Sequence, residues 1–225
     1  MKKQVVVIGL GRFGSSVASE LYQLGHDVLA IDLDEKNVQD MQGHVTYAVR
    51  ADSTGESVLE DLGVPNFDVA IVSIGTDIQA SILITVLLKS LGLPFIIARA
   101  GTEPHGNALE RIGADRVVYP EYELGKSVAH KLFNPGVLDY MEVSSNFHIS
   151  KVRPPEHLIH HTVEDAGLRS PRDKYGVAVL AIKRGREHIL IPARDEEIRP
   201  GDLLIVAGES DQLDKLQEPL KESVK

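Results

Sequence analysis

A glycine-rich turn between an apolar run and an amphipathic segment constrains this chain more than any other feature. Gly9-Leu10-Gly11-Arg12-Phe13-Gly14 has the spacing G-x-G-x-x-G and follows Val5-Val6-Val7-Ile8 at once. The first Gly permits a tight turn, the second lets a pyrophosphate approach the backbone, and the third lets helix and strand pack closely. A helix opening there offers unpaired N–H groups and a partial positive charge to phosphates. Asp32 ends the second apolar run, 18 residues after Gly14, where a carboxylate receives ribose hydroxyls. The spacing alone also occurs in turns that hold no ligand. With strand, helix and acid in register, a nucleotide or dinucleotide is the expected ligand. No Arg follows Asp32, which counts against a 2′-phosphate and therefore against NADP.

Arg12 sits in the first turn of that helix, where a cation opposes the dipole at a cost of about 0.3–1 kcal/mol. A bound phosphate would turn the cost into a charge-assisted hydrogen bond. A solvated Arg pointing away from the turn is the competing reading.

Short apolar runs at 5–8, 28–31, 45–49, 69–74, 95–98 and 116–119 alternate with helix-length segments at 13–24, 35–41, 55–62, 77–91, 103–112 and 121–133. The first, fourth and fifth runs lack in-out alternation, as strands buried on both faces do. Ser53-x-x-Glu56 has the pattern of a capping box, and Gly25, Gly63, Gly92 and Gly113 stand where helices should stop. The alternation predicts an α/β fold, a Rossmann-type doubly wound parallel sheet with right-handed crossovers, over residues 1–134. Asn134-Pro135-Gly136 breaks the pattern. Residues 135–225 read as a small α+β domain after a crossover near Pro154-Pro155. Its strands are expected at 138–143, 148–152, 177–182, 189–191 and 203–206, with a turn at 183–186 and helices at 162–168 and 211–220.

A formal net charge of -9 disfavours nucleic acid and anionic membrane surfaces as partners, but not an anionic small ligand, which feels the local field. With no Cys, disulfides and thiolate metal sites are excluded, and a reducing compartment is expected. The N-terminus runs directly into the first strand without a signal-peptide core. The segment 82–97 is broken by Lys89, Ser90, Gly92 and Pro94, so it reads as helix, turn and strand rather than a membrane span. No G-x-S-x-G, Walker A or kinase signature is present. His157-x-x-His160-His161 reads as a polar loop rather than a metal site, since it lacks a helical i, i+4 pair with a catalytic Glu. No catalytic residue is assigned.

Four blocks in order resemble the RCK domain, also called TrkA-N or KTN. They are the turn at Gly9–Gly14, Asp32-Leu33-Asp34-Glu35, Ser73-Ile74-Gly75-Thr76-Asp77-Ile78-Gln79-Ala80-Ser81, and Arg111-Ile112-Gly113-Ala114-Asp115-Arg116-Val117-Val118-Tyr119-Pro120-Glu121. Lys174-Tyr175-Gly176-Val177-Ala178-Val179 and Pro200-Gly201-Asp202-Leu203-Leu204 are similar to the companion TrkA-C domain. One copy of each domain resembles the cytosolic Ktr-type subunits rather than the duplicated Trk-type.

The resemblance implies a cytoplasmic sensor held peripherally at the membrane by a potassium-translocating membrane subunit. It implies a homodimer assembling to an octameric ring, with ATP activating, ADP inactivating and NAD(H) a further ligand in the wider family. Carried over to this sequence, Arg12 reaches the terminal phosphate, Asp32 holds the ribose and Asp52-Ser53 lie along the adenine. Ser73 and Gly75 fall at the carboxyl end of the fourth strand, and Arg99 occupies a basic position after the fifth. Glu121, with its symmetry mate, is implied as a ligand for a divalent cation, Mg or Ca. Pro120-Glu121 equally suits the first turn of any helix. Arg172, Ile191 and Pro192 match positions of a cyclic di-AMP site between two second domains.

Two readings from other classes remain. A small NAD-dependent oxidoreductase would need the catalytic residue that is missing, whereas an NAD(H)-sensing regulator would not. A redox-sensing transcription regulator would need a basic DNA-binding helix, which the acidic balance opposes.

Overall fold

The computed structural model describes residues 2–133, 136–170 and 172–217. Packing divides the chain into two units, Met1–Glu123 and Leu124–Lys225.

The first unit alternates strand and helix: β1 (Gln4–Ile8), α1 (Arg12–Gln23), β2 (Asp27–Asp32), α2 (Glu35–Asp40), β3 (Tyr47–Arg50) and α3 (Glu56–Asp61), then β4 (Val69–Val72), α4 (Ile78–Ser90), β5 (Ile96–Arg99), α5 (Glu103–Ile112) and β6 (Arg116–Val118). The six strands are parallel in the order β3-β2-β1-β4-β5-β6. β1 therefore lies at the centre, and the winding reverses between β1 and β4, where a doubly wound sheet opens a crevice.

β1 shows why an uninterrupted apolar run suits that place. Val6 and Ile8 enter one core with Leu29, Ile31, Val72, Ile84 and Leu88. Val5 and Val7 enter the other with Val28, Ala30, Ile71, Ala18 and Val38. α1 covers the second face through Gly14, Val17, Ala18 and Leu21, a helical stripe. α4 covers the first through Ser81, Ile84, Thr85 and Leu88. The four glycines expected to end helices all take positive φ, between 72° and 113°.

α6 (Pro120–Phe133) starts in the first unit and continues into the second. The second unit adds β7 (Val137–Ser144), β8 (Phe147–Val152), β9 (Ala178–Arg184), β10 (Glu187–Leu190), β11 (Leu203–Glu209) and α7 (Ser210–Gln217). Its sheet is antiparallel in the order β10-β9-β11-β8-β7. Val152, Leu168, Ile182, Ile198, Leu204, Val206 and Leu216 form its core.

One cation organises the loops of this unit. Arg184 donates from Nε and Nη2 to both oxygens of Asp202, from Nη1 to Glu196 and from Nη2 to the Glu197 carbonyl. The Asp202 side chain is 1% exposed, so it depends on those bonds.

Several local expectations are corrected. The capping box does not form: α3 begins after Gly55, with no side-chain cap, because Asp52 Oδ1 takes the Thr54 N–H and hydroxyl instead. Residues 162–168 make hydrogen-bonded turns rather than a helix. Thr162 bridges to Glu197 in antiparallel fashion, and Gly167 turns the chain at φ 66°. The turn of the β9–β10 hairpin is only Gly185-Arg186, with Lys183 and Arg184 in the strand. Asn134 and Pro135, read as a break, and residues 218–220, read as the end of the last helix, lie outside the described residues.

Candidate functional site

A cleft of about 470 Å³ opens over the carboxyl ends of the central strands. Gly9, at φ 92°, carries the chain out of β1 and donates its N–H to the Ile31 carbonyl at 2.8 Å. Its own carbonyl accepts from the Ser73 hydroxyl, which ties the turn to the end of β4. A Cβ on Gly14 would overlap the Gly9 carbonyl oxygen, so this glycine brings helix and turn together. Gly14 supports the cleft from below and does not line it, whereas Gly9, Gly11, Arg12 and Phe13 do.

Gly11 is the N-cap of α1 and supplies no side-chain cap; the first turn carries no acid. The partial positive charge at the start of α1 is therefore left unanswered by its own helix, with Arg12 added to it.

Asp32, at the end of β2, is fixed beside the glycine turn. Oδ2 accepts the Leu10 N–H at 2.5 Å and Oδ1 the Asp34 N–H at 2.8 Å, leaving further lone pairs for hydroxyl donors. The carboxyl of Asp52 is held below its ordinary value by the Thr54 hydroxyl and then the Thr54 N–H. Beside it the Ser53 hydroxyl is buried without a hydrogen-bond partner. A buried hydroxyl with no partner is costly, and a ligand donor or acceptor would relieve it. Ser53→Ala is therefore expected to leave stability unchanged or raise it by about 1 kcal/mol while weakening nucleotide binding. Equal affinity in variant and wild type, read by calorimetry, would remove Ser53 from the site.

The glycine-turn end of the cleft carries two guanidiniums, Arg12 and Arg99, and the carboxylate of Glu121. Arg99 leaves β5 with its guanidinium pressed against Gly75, where any Cβ would collide with it. Its Nη2 donates to Glu121 Oε1 at 2.5 Å, and its Nε is buried without a partner. Glu121 stands in the first turn of α6, and its carboxyl lies below its ordinary value. Its own backbone N–H contributes most to that shift, and the Arg99 and Arg12 guanidiniums add to it against the opposing effect of burial.

The structure thus gathers Gly9, Gly11, Arg12, Phe13, Asp32, Asp52, Ser53, Ser73, Gly75, Arg99 and Glu121 around one cleft. Arg172, Ile191 and Pro192 belong to the second unit. Arg172 is exposed on a loop, its N–H bonded to Ser170 Oγ at 3.1 Å, and Ile191 is 86% exposed at φ 47°.

Among the described residues no three His, Asp or Glu side chains converge to hold a metal ion. Glu121 offers one carboxylate, already engaged by Arg99, so a cation there would need ligands from elsewhere. The three imidazoles of the 157–161 segment meet separate partners: His157 the Tyr175 hydroxyl, His160 the Glu197 carboxylate, and His161 the Ile159 carbonyl.

Sequence reasoning missed Asn37 and Thr54 on the cleft wall and the ion pair between Arg99 and Glu121. It also missed Arg50, which pairs in register with Asp32 and donates from Nε to the Leu33 carbonyl at 3.0 Å. The absence of an Arg directly after Asp32 thus says less about a 2′-phosphate than the linear sequence implied, although Arg50 does not line the cleft.

Strand order, glycine turn and the carboxylate that ends β2 define a Rossmann-type fold. Residues 5–120 match the TrkA-N domain and residues 147–221 the TrkA-C domain, and the chain belongs to this RCK family. It is 44% identical over 208 residues to the Ktr system potassium uptake protein C of Bacillus subtilis (strain 168), covering 92% of this chain and 93% of that protein. Ktr system potassium uptake protein A of Vibrio alginolyticus is 36% identical over 211 residues, covering 94% of each. Among solved structures, the GsuK channel superposes with a TM-score of 0.69 at 20% identity, covering 99% of this chain and 40% of that one. The GsuK channel bound to NAD does so with a TM-score of 0.53 at 24% identity, covering 96% and 38%. These structural likenesses speak to the fold. Among the described residues no helix is long and apolar enough to cross a membrane.

Proposed function

We propose that this chain is a nucleotide-sensing regulatory subunit of a potassium uptake system, binding an adenine nucleotide in the cleft of its first unit and performing no catalysis. The observation that carries the reading is the charge arrangement at the glycine turn. A helix N-terminus without a side-chain cap or an acid faces the cleft beside Arg12 and Arg99, so an anion is the ligand this end accepts. Asp32 and the unpartnered Ser53 hydroxyl supply polar contacts for the nucleoside end.

The relatives at 36–44% identity are Ktr potassium uptake proteins, which supports a role within such a system; the partner in this reading is a potassium-translocating membrane subunit that holds this chain at the cytoplasmic surface. ATP favours the conducting state and ADP the closed one, with the difference read by Arg12. A sensor of one phosphate needs a charge that feels it and two arrangements that differ in their affinity for it. The functional assembly is a homodimer building an octameric ring. Glu121 contributes one carboxylate to a divalent cation, Mg or Ca, shared with a second copy, and Arg172, Ile191 and Pro192 contribute to a cyclic di-AMP site.

Calorimetric titration with ATP, ADP, NADH and cyclic di-AMP tests the reading. Binding of ATP and ADP in the cleft is expected; absence of binding by every adenine nucleotide, or steady turnover of NAD, would overturn it. Arg12→Ala is expected to weaken ATP by about 10- to 100-fold, as the loss of one charge-assisted bond does, and ADP by much less. Equal losses for both would refute a terminal-phosphate role.

A further inference from the structure

We propose that Glu121 is a resident counter-anion of the cleft, occupying the Arg99 guanidinium until a phosphate displaces it. The inference rests on the nucleotide reading above and concerns what an entering phosphate has to displace.

Arg99 and Glu121 are built differently. The Arg99 side chain is 21% exposed and lies against the backbone of Gly75, which has no Cβ to push it aside. The Glu121 side chain is 65% exposed and stands on the first turn of α6, directly after Pro120. The base is therefore held by packing and the acid is free to change rotamer. Their contact at 2.5 Å uses Nη2, part of the planar fork with which an arginine grips a phosphate. Both side chains line the cleft with Arg12, whose charge also acts on Glu121.

An entering phosphate does two things to this pair. It competes for the same guanidinium N–H groups, and it brings negative charge against the carboxylate. Arg99 cannot retreat, so Glu121 is the group that leaves. The carboxylate thereby sets a threshold, because a weakly charged ligand end does not displace it and a polyphosphate does. The same carboxylate lies within the field of both guanidiniums, Arg99 and Arg12, and so offsets their mutual repulsion.

The experiment is a double-mutant cycle on the whole chain, with ADP titrated calorimetrically in EDTA at fixed ionic strength, so that no divalent cation takes part. Wild type, Glu121→Gln, Arg99→Gln and the double variant are compared, with thermal unfolding as a check on folding. Glu121→Gln is expected to bind ADP about three- to tenfold more tightly than wild type. That gain is expected to fall to within about twofold in the Arg99→Gln background, because the competition has lost its object. Unchanged or weaker binding by Glu121→Gln overturns the proposal while leaving the nucleotide site standing. An equal gain in both backgrounds also overturns it, since that is simple repulsion between carboxylate and phosphate. Absence of ADP binding in wild type and every variant removes the nucleotide reading and this one with it.

Discussion

Gly14→Ala is expected to destabilise the first unit by about 2–3 kcal/mol, whereas Gly11→Ala is expected to fold as wild type and lose nucleotide affinity by about tenfold or more. The two glycines are three residues apart in one turn and differ in what surrounds them. A Cβ at Gly14 meets the Gly9 carbonyl oxygen and the Ser73 hydroxyl that bonds to it, neither of which can swing away. Helix propensity would favour Ala at a helical position by about 1 kcal/mol, and the collision outweighs it. A Cβ at Gly11 meets nothing within 4 Å and needs no unusual backbone angle, but it projects from a residue that lines the cleft. Denaturant titration of both variants, paired with calorimetry on the folded one, separates the effects. A stable Gly14→Ala, or a Gly11→Ala that binds as wild type, would contradict this account of the turn.

The second large effect belongs to the other unit. Asp202→Ala is expected to cost about 3–5 kcal/mol, because it leaves the Arg184 guanidinium partly buried without its main counter-ion. Replacing both residues with apolar ones is expected to cost less. The pair also predicts a pH dependence. Burial raises the Asp202 carboxyl, but the Arg184 bonds and the Arg199 N–H outweigh burial and leave it below its ordinary value. A carboxyl lowered by folding contributes stability that is present above its unfolded value near 4 and lost as pH falls through the folded one. The gap between wild type and Asp202→Ala is therefore expected to stay constant from about pH 8 to 5 and to narrow below about 4. A gap that widens in acid would contradict the assignment.

Much of the first unit was legible because its signals are local. A continuous β-branched run, a glycine turn and glycines at helix ends each act within a few residues, and the strand–helix alternation with right-handed crossovers gives a doubly wound parallel sheet, whose strand order only the structure supplies. Local signals failed where two local partners competed. Ser53-x-x-Glu56 has the right spacing for a cap, but the neighbouring Asp52 made a tighter turn with Thr54 and moved the helix start to Glu56. At 162–168 the Thr162 hydroxyl exchanges bonds with Asp165 as a helix start would, yet Gly167 turns the chain one turn later. What no local reading could supply was contact at a distance. Arg99 and Glu121 are 22 residues apart, and Arg50 comes beside Asp32 only through strand pairing.

The central position of β1 has a consequence for how the chain is made. The most buried strand of the sheet is synthesised before both of its neighbours, β2 and β4. Its second neighbour is complete only at Val72, 64 residues after Ile8, or roughly 3–13 s later at ribosomal rates of about 5–20 residues/s. During that interval an uncharged valine-rich segment without proline is open on its edges, the kind that pairs with other nascent chains. Lys2 and Lys3 stand beside it as charged guards, and in the finished fold they find Asp27 and Asp68. The two lysines at the head of the strand thus come to tie it to β2 and to the residue that precedes β4.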